Sequence, residues 1–551
     1  MKSASLLVAC WLGFAVPLAA EAAVTADWEL SPPVTIAQNS DGLERQAREA
    51  YERGDFQTAI ATLENLDRAY QQQGNAVDRA IVLRNLALVY QGLGEVDRAR
   101  NILEESQDLI VTIEDPGVRD RAFVRALELE GQLELDSGHP QAAIAAWDRA
   151  AEIYTAAGDP LGATRTRVST ARALQSMGLY ARAIDILSEV RDELELEPDI
   201  LLKARALQSL GEALRVVGRT DESQAILEQS LTIAEQAGAR EVVAATAIAL
   251  GNTARLQRDP EGAIAFYERA AATSGSPQTI AQARLNQLQV TIEEENFDAA
   301  RQLADRIRSD IAALPPSQNA TYARINFAQS LIKLRDRGGE NLASTSDIAE
   351  FLATAVGHSR LYNDKRSESY ALGNLGLLYE KNGQRSDARE LTEKALLLAQ
   401  ATNSDDIAYQ WQWQLGRILK ENGDRKGAIA AYSSAVDTLG NLRSDLVAIS
   451  SDVQFSFRES VEPIYRELVS LLLQPGANIE QKDLIEARKT IEALQLAELD
   501  NFFRDACLDA KPAQIDRVDP SAAVFYTIIL DDRLEVIAAL PDAPLQHYTT
   551  F

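Results

Sequence analysis

Along most of the chain apolar residues return every three to four positions, the spacing that gathers them on one stripe of a helix. The pattern is itself repeated about every 40 residues. Asn85-Leu86-Ala87-Leu88-Val89-Tyr90 is followed by a turn at Gly94 and then by Ala99 and Leu103. Asn374-Leu375-Gly376-Leu377-Leu378-Tyr379 is followed by a turn at Gly383 and then by Ala388 and Ala395. The same order recurs at Leu210-Gly211 with Leu214 and Gly218, at Leu250-Gly251 with Ala263, Tyr267 and Ala270, and at Leu415-Gly416 with Leu419, Gly423, Ala428, Tyr432 and Ala435. Each unit predicts an apolar helix, a turn, and a second helix whose small residue lets the pair pack closely. One such pair cannot cover its own apolar face, so neighbours must stack to bury it.

The small second-helix residues are Ala59, Ala99, Ala143, Ala183, Ser223, Ala263, Ala300, Ala388 and Ala428, at successive spacings of 40, 44, 40, 40, 40, 37, 88 and 40. The gap of 88 has room for two units and predicts one further hairpin between Thr321 and Asn363, with loops marked by Pro315-Pro316 and Gly338-Gly339. Over residues 41–440 this pattern resembles the tetratricopeptide repeat. The resemblance implies an all-α fold, a right-handed superhelix (an α-solenoid) of about ten helical hairpins. A spacing above the usual 34 or so implies helices roughly one turn longer than the minimum.

Composition agrees with stacked helices. Aromatic content is 6%, and a chain of 551 residues exceeds one compact core but not a solenoid, in which each repeat touches only its neighbours. The net charge of −27 argues against nucleic-acid binding, which needs a basic face to neutralise phosphate. At the N-terminus Lys2 precedes an apolar stretch from Leu6 to Leu18 and then Ala20-Glu21-Ala22, an A-x-A cleavage site. We expect a signal peptide over residues 1–22, a linker over 23–40, and an exported (periplasmic or extracellular) protein that meets the membrane only through this segment. Leu7-Val8-Ala9-Cys10 also matches a lipoprotein box, but only seven residues separate Lys2 from Cys10 and the apolar run continues past it. Cleavage leaves Cys507 alone, so no intramolecular disulfide is expected. His139, His358 and His547 lack partners at ligand spacing, and neither a phosphate-cradling loop nor a nucleophile elbow is present, so no metal, no cofactor and no catalytic residue is expected.

In tetratricopeptide repeats the first helix of each unit lines the inside of the superhelix. Its second position carries Arg125, Arg165 and Arg205 in three successive units. Such a ladder can clamp carboxylates of an acidic or C-terminal peptide by charge-assisted bonds. The alternative is that each arginine pairs locally, for example Arg125 with Glu128 one turn along. Asn85, Asn286 and Asn374 share another position of the first helix. They are suited either to hydrogen bonds with an extended peptide backbone or to bonds between adjacent repeats.

After the repeats the texture changes. A long helix is predicted over Ser444–Leu473, ended by Pro475-Gly476, and a second over Leu484–Phe503, ended at Lys511-Pro512; together they form a helical connector over 441–512. The period then becomes that of strands, with Ala523–Leu530 and Leu534–Leu540 joined at Asp531-Asp532-Arg533 as a β-hairpin. Phe455-Ser456-Phe457-Arg458-Glu459-Ser460-Val461-Glu462-Pro463-Ile464-Tyr465, Glu492-Ala493-Leu494-Gln495-Leu496-Ala497-Glu498-Leu499-Asp500-Asn501-Phe502-Phe503 and Ala506-Cys507-Leu508, with the hairpin, resemble the start of a CHAT domain of cyanobacterial type. That resemblance implies a caspase-like α/β domain, of which residues 513–551 are the N-terminal fragment. Its proteolytic members use a His–Cys dyad. The matching positions lie beyond Phe551, so neither His547 nor Cys507 inherits a role, and the chain is expected to be a fragment without catalytic activity.

Three functions fit. The first is an exported adaptor that binds a protein or peptide partner in its groove. The second is the sensor and substrate-docking arm of a CHAT-family cysteine protease. The third is a structural protein that self-assembles through solenoid ends or the hairpin edge. The oligomeric state is left open.

Overall fold

A computed structural model describes residues 40–551, except 138, 178, 196–198, 315–316, 339–342, 443–460, 477, 504–518 and 520. The expected signal segment and linker, Cys10, Cys507, Pro315-Pro316, Lys511-Pro512 and the first part of the predicted helix at 444–473 lie outside the described residues. Among the described residues twenty helices run in order from α1 (Ser40–Glu52) to α20 (Arg425–Asn441) and form ten hairpins. They continue as α2 (Phe56–Gln73), α3 (Ala76–Leu93), α4 (Val96–Ile110), α5 (Pro116–Asp136), α6 (Pro140–Ala156), α7 (Pro160–Ser176) and α8 (Tyr180–Glu193). Next come α9 (Ile200–Val216), α10 (Thr220–Gln236), α11 (Arg240–Leu256), α12 (Pro260–Thr273), α13 (Pro277–Glu293) and α14 (Phe297–Ala313). The last hairpins use α15 (Gln318–Asp336), α16 (Thr345–Leu361), α17 (Lys365–Lys381), α18 (Arg385–Ala401) and α19 (Asp405–Glu421). The described residues divide into two compact units, one built from residues 40–294 with Gln302–Ala323, the other from Glu295–Arg301 with Arg324–Phe551.

Local chemistry sets the helix limits. Asp55, Asp115, Asp159, Asp199, Asp259, Asp364 and Asp424 each cap a helix by accepting a hydrogen bond from the backbone N–H three residues on. Proline opens α5, α6, α7, α12 and α13, where its missing N–H costs nothing. The turn inside a hairpin needs one residue with positive φ, supplied by Gly94 (79°) and Gly383 (76°). Between α11 and α12 the same conformation is taken by Arg258 (61°), which explains why that unit lacks a turn glycine in the sequence.

All nine small second-helix residues named above are fully buried, each the fourth residue of its helix. In α16 that place is taken by Ile348, also fully buried. The predicted extra hairpin therefore exists as α15 and α16, and it lacks the small residue that reveals the others. Phe327 meets Phe351 edge-to-face there, with centroids 5.1 Å apart. A fixed spacing of 26 residues also links the two helices of a hairpin. Ser106, Ser230 and Ser369 bond the backbone of Ala80, Ala204 and Ala395, and Tyr70 and Tyr154 bond Glu44 and Glu128, all at this separation.

In the second unit the described helices after the repeats are α21 (Glu462–Leu472) and α22 (Gln481–Phe503), so α22 begins three residues before the sequence reading placed it. The expected hairpin is present as β1 (Val524–Ile529) and β2 (Leu534–Ala539), but a third strand, β3 (Gln546–Thr550), completes an antiparallel sheet of order β1-β2-β3. Its residues Gln546, His547, Thr549 and Thr550 are polar, so it carries no alternating apolar signal. The sheet packs on the helices: β1 contacts α22, Arg488 lies over the Tyr526 ring at 5.8 Å, and Gln481 exchanges two hydrogen bonds with the backbone of Leu545. On the opposite face Phe525, Ile529 and Tyr548 are exposed.

Candidate functional site

The arginine ladder becomes a cluster because α5, α6 and α7 bring four side chains together. Glu128, one turn along α5 from Arg125, accepts from Arg125 Nη1 at 3.0 Å and from Arg165 Nε at 3.1 Å. From α6 the Tyr154 hydroxyl donates to Glu128 Oε1 at 3.0 Å and accepts from Arg165 Nη2 at 3.1 Å. The Arg165 guanidinium also lies over the Tyr154 ring, 5.5 Å from its centroid. Burial, joined by the charge of Glu128, pushes the Tyr154 hydroxyl up to about 12. Burial opposes the charge of Arg165, but Glu128 and the Tyr154 hydroxyl outweigh it and hold its pKa above the ordinary arginine value. Two guanidinium groups thus share one carboxylate, and all three side chains are half-buried.

The pairing of Arg125 with Glu128 is the local bond read from the sequence; the joining of Arg165 to the same carboxylate was not legible. Tyr154 and Gly162 were missed. The 26-residue spacing of Glu44 to Tyr70 and of Glu128 to Tyr154 is the signal that marks the tyrosine. Gly162 on α7 clears room for its ring, since a Cβ there would sit 2.4 Å from Tyr154 Cδ1. Gly162→Ala is expected to destabilise the chain by about 1–3 kcal/mol through overpacking, checked by thermal melting; an unchanged melt would show that Tyr154 is free to swing away.

Arg205 occupies the equivalent place on α9, half-buried and engaged by its neighbours. The asparagines do not form a reachable row. Asn85 and Asn374 are both 1% exposed. Arg84 Nη2 donates to Asn85 Oδ1 at 2.6 Å, and Gln329 on α15 donates to Asn374 Oδ1 at 3.0 Å. Asn286 is half-buried with its Nδ2 3.4 Å from Asn252 Oδ1. Apolar packing of the first helices on several sides closes over this position, which removes Asn85 and Asn374 from any surface a ligand can reach.

A second cluster lies in the sheet. Glu535 on β2, fully buried, accepts from Arg533 Nε at 2.5 Å, His547 Nε2 at 2.7 Å and Thr549 Oγ1 at 2.6 Å. Thr549 and Glu535 approach the same ring nitrogen of His547, so the three do not make the acid–imidazole–hydroxyl relay that uses both nitrogens. His139 is exposed, beside Glu134 at 2.9 Å. Among the described residues no group of three or more His, Cys, Asp or Glu is placed to hold a metal, and no helix is long and apolar enough to cross a membrane.

Comparison with known proteins bears on the hairpins. The tetratricopeptide repeat family matches residues 202–274 and again residues 369–406. The hairpins α9–α10, α11–α12 and α17–α18 are thus similar to tetratricopeptide repeats. A curated relative, Photosystem I assembly protein Ycf3 of Synechococcus sp. (strain CC9605), is 29% identical over 117 residues, covering 20% of this chain and 62% of that protein. The chain therefore spans less than two thirds of that relative's length. Three solved structures are similar. The human IFIT1 dimer with PPP-AAAA has a TM-score of 0.43 and 14% identity, over 78% of this chain and 91% of that one. The apo quorum sensor NprR from B. thuringiensis has 0.40 and 12%, over 65% and 98%. The Rap protein complexed with competence and sporulation factor has 0.39 and 14%, over 63% and 99%. The arginine cluster of α5–α7 lies N-terminal to the matched residues.

Proposed function

We propose that the chain is an exported tetratricopeptide scaffold that binds an acidic protein or peptide segment along the first helices of its third to fifth hairpins. The observation that carries this reading is the pair of half-buried guanidinium groups on the single carboxylate of Glu128. In a chain of net charge −27 both guanidiniums stay partly accessible. Glu128 and Tyr154 hold both guanidiniums in fixed positions, which reduces the entropy a carboxylate must overcome to bind them. Export rests on the Lys2, Leu6–Leu18 and Ala20-Glu21-Ala22 pattern.

The test is a peptide array of acidic, neutral and basic sequences probed with the full chain, followed by fluorescence anisotropy on the retained peptides. Acidic peptides are expected to be retained, and R125Q/R165Q to weaken them by about tenfold or more, the scale of two charge-assisted bonds. Equal retention of basic or neutral peptides, or an unchanged affinity in the double variant, would sink this reading.

A second reading, in which the repeats are the docking arm of a CHAT-type domain, draws support from the sheet. Helices cover one face, and Phe525 and Ile529 are exposed on the other, as in an α/β layer that continues on both sides. In that reading residues 513–551 are the N-terminal part of the domain.

A further inference from the structure

Carbonyls in the last turn of a helix have no partner inside the helix. At the end of α21 three consecutive ones are held by arginines from two parts of the second unit. Arg425, the first residue of α20, donates from Nη2 to the carbonyl oxygens of Leu471 at 2.9 Å and Leu472 at 3.3 Å. Arg533, beside the turn between β1 and β2, donates from Nη2 to the carbonyl and hydroxyl oxygens of Ser470, both at 3.2 Å. Cationic donors are well suited to this place, because the C-terminal end of a helix carries partial negative charge.

The neighbouring contacts divide in the same way. Toward the last repeat, Glu467 accepts from Tyr432 Oη at 2.5 Å and from Trp413 Nε1 at 3.3 Å. Toward the sheet, the Arg466 guanidinium donates to the carbonyl of Ile529. Arg533 is almost fully buried and also bonds Glu535, which in turn holds His547 and Thr549 on β3. A continuous polar chain therefore runs from α19 and α20, through α21, to the outer strand of the sheet.

We propose that the last turn of α21 is a latch that links order in the last repeat to order in the C-terminal sheet. If Arg425 lets go, the carbonyls of Leu471 and Leu472 turn to water and the last turn frays. Ser470 then moves from under Arg533, whose buried guanidinium loses acceptors it cannot replace. A three-stranded sheet of short strands has little stability to spare, so it opens with the turn. Linkage is reciprocal, so loosening Arg533 must loosen the end of α21 and its hold on α20.

Hydrogen exchange on the full chain, read by mass spectrometry, tests this. R425Q is expected to speed exchange of β1 and β2 amides by roughly tenfold, a typical scale for a lost coupling, while amides of α5–α7 stay unchanged. R425K, which keeps a donor, should fall between. R533Q should in turn speed exchange in the last turn of α21 and the first turn of α20. Sheet amides unaffected by R425Q would overturn the latch. Should R425Q fail to fold, R533Q decides alone: faster exchange confined to the sheet would equally overturn it.

Discussion

Replacing Glu535 with Ala is expected to remove about 3–5 kcal/mol of local stability from the C-terminal sheet, the cost of breaking a buried ion pair on one side only. The carboxylate is fully buried and accepts from Arg533, His547 and Thr549. Its removal strands the Arg533 guanidinium, left with Asp532 and Ser470 among the described residues. Hydrogen exchange of the strands, or their loss to limited proteolysis, measures the effect; a sheet as protected as in the parent chain would show that water enters to solvate Arg533. Burial raises the Glu535 pKa, but the hydrogen bonds from Thr549, Arg533 and His547 outweigh it and hold the carboxyl below its usual range. A carboxyl depressed in the folded state stabilises the fold above its unfolded pKa, and that contribution is lost as the pH falls through the folded value. The sheet should therefore loosen in acid below the ordinary glutamate range. E535Q, which cannot titrate, should lose that acid step.

Trp147→Ala is expected to cost about 3–5 kcal/mol in the unit that contains α5–α7, the usual penalty for emptying a large aromatic site. The ring is 2% exposed, and its Nε1 donates to the carbonyl of Glu128 at 3.2 Å, so the change also disturbs the arginine cluster. Urea unfolding followed by far-ultraviolet dichroism measures it. A cycle with Gly131 separates packing from other causes. A Cβ at Gly131 would lie 2.4 Å from Trp147 Nε1, so Gly131→Ala alone should destabilise by overpacking, about 1–3 kcal/mol. In the Trp147→Ala background the added methyl enters the vacated space, and its penalty should vanish or reverse. Additive penalties would mean that the two residues do not compete for one volume.

The hairpins were legible because their signals are local and repeated. Aspartate caps, opening prolines, positive-φ turns and the fully buried fourth residue of the second helix each recur along the chain. Ile348 shows the limit: once the small residue is replaced, only the gap in the spacing betrays the hairpin. Strand β3 was not legible, because its polar residues owe their place to register with β2, where His547 lies opposite Ile537 and Thr549 opposite Glu535. The candidate site was legible by half. Spacing puts Arg125 and Arg165 at equivalent places, and one turn of helix puts Glu128 beside Arg125. That Arg165 reaches the same carboxylate, with Tyr154 between them, depends on how closely α5, α6 and α7 approach, a distance set by Gly131 under Trp147 and Gly162 under Tyr154.

By itself the sequence determined the helical hairpin, its repeat length and its turn chemistry, since propensity, capping and apolar period act within a few residues of one another. The tertiary structure decided which polar side chains are consumed inside the stack and which stay within reach of a ligand. Asn85 and Asn374 share a sequence position with the half-buried Asn286, yet both are enclosed. Burial is a property of the neighbours that close over a residue, and those neighbours lie tens of residues away along the chain.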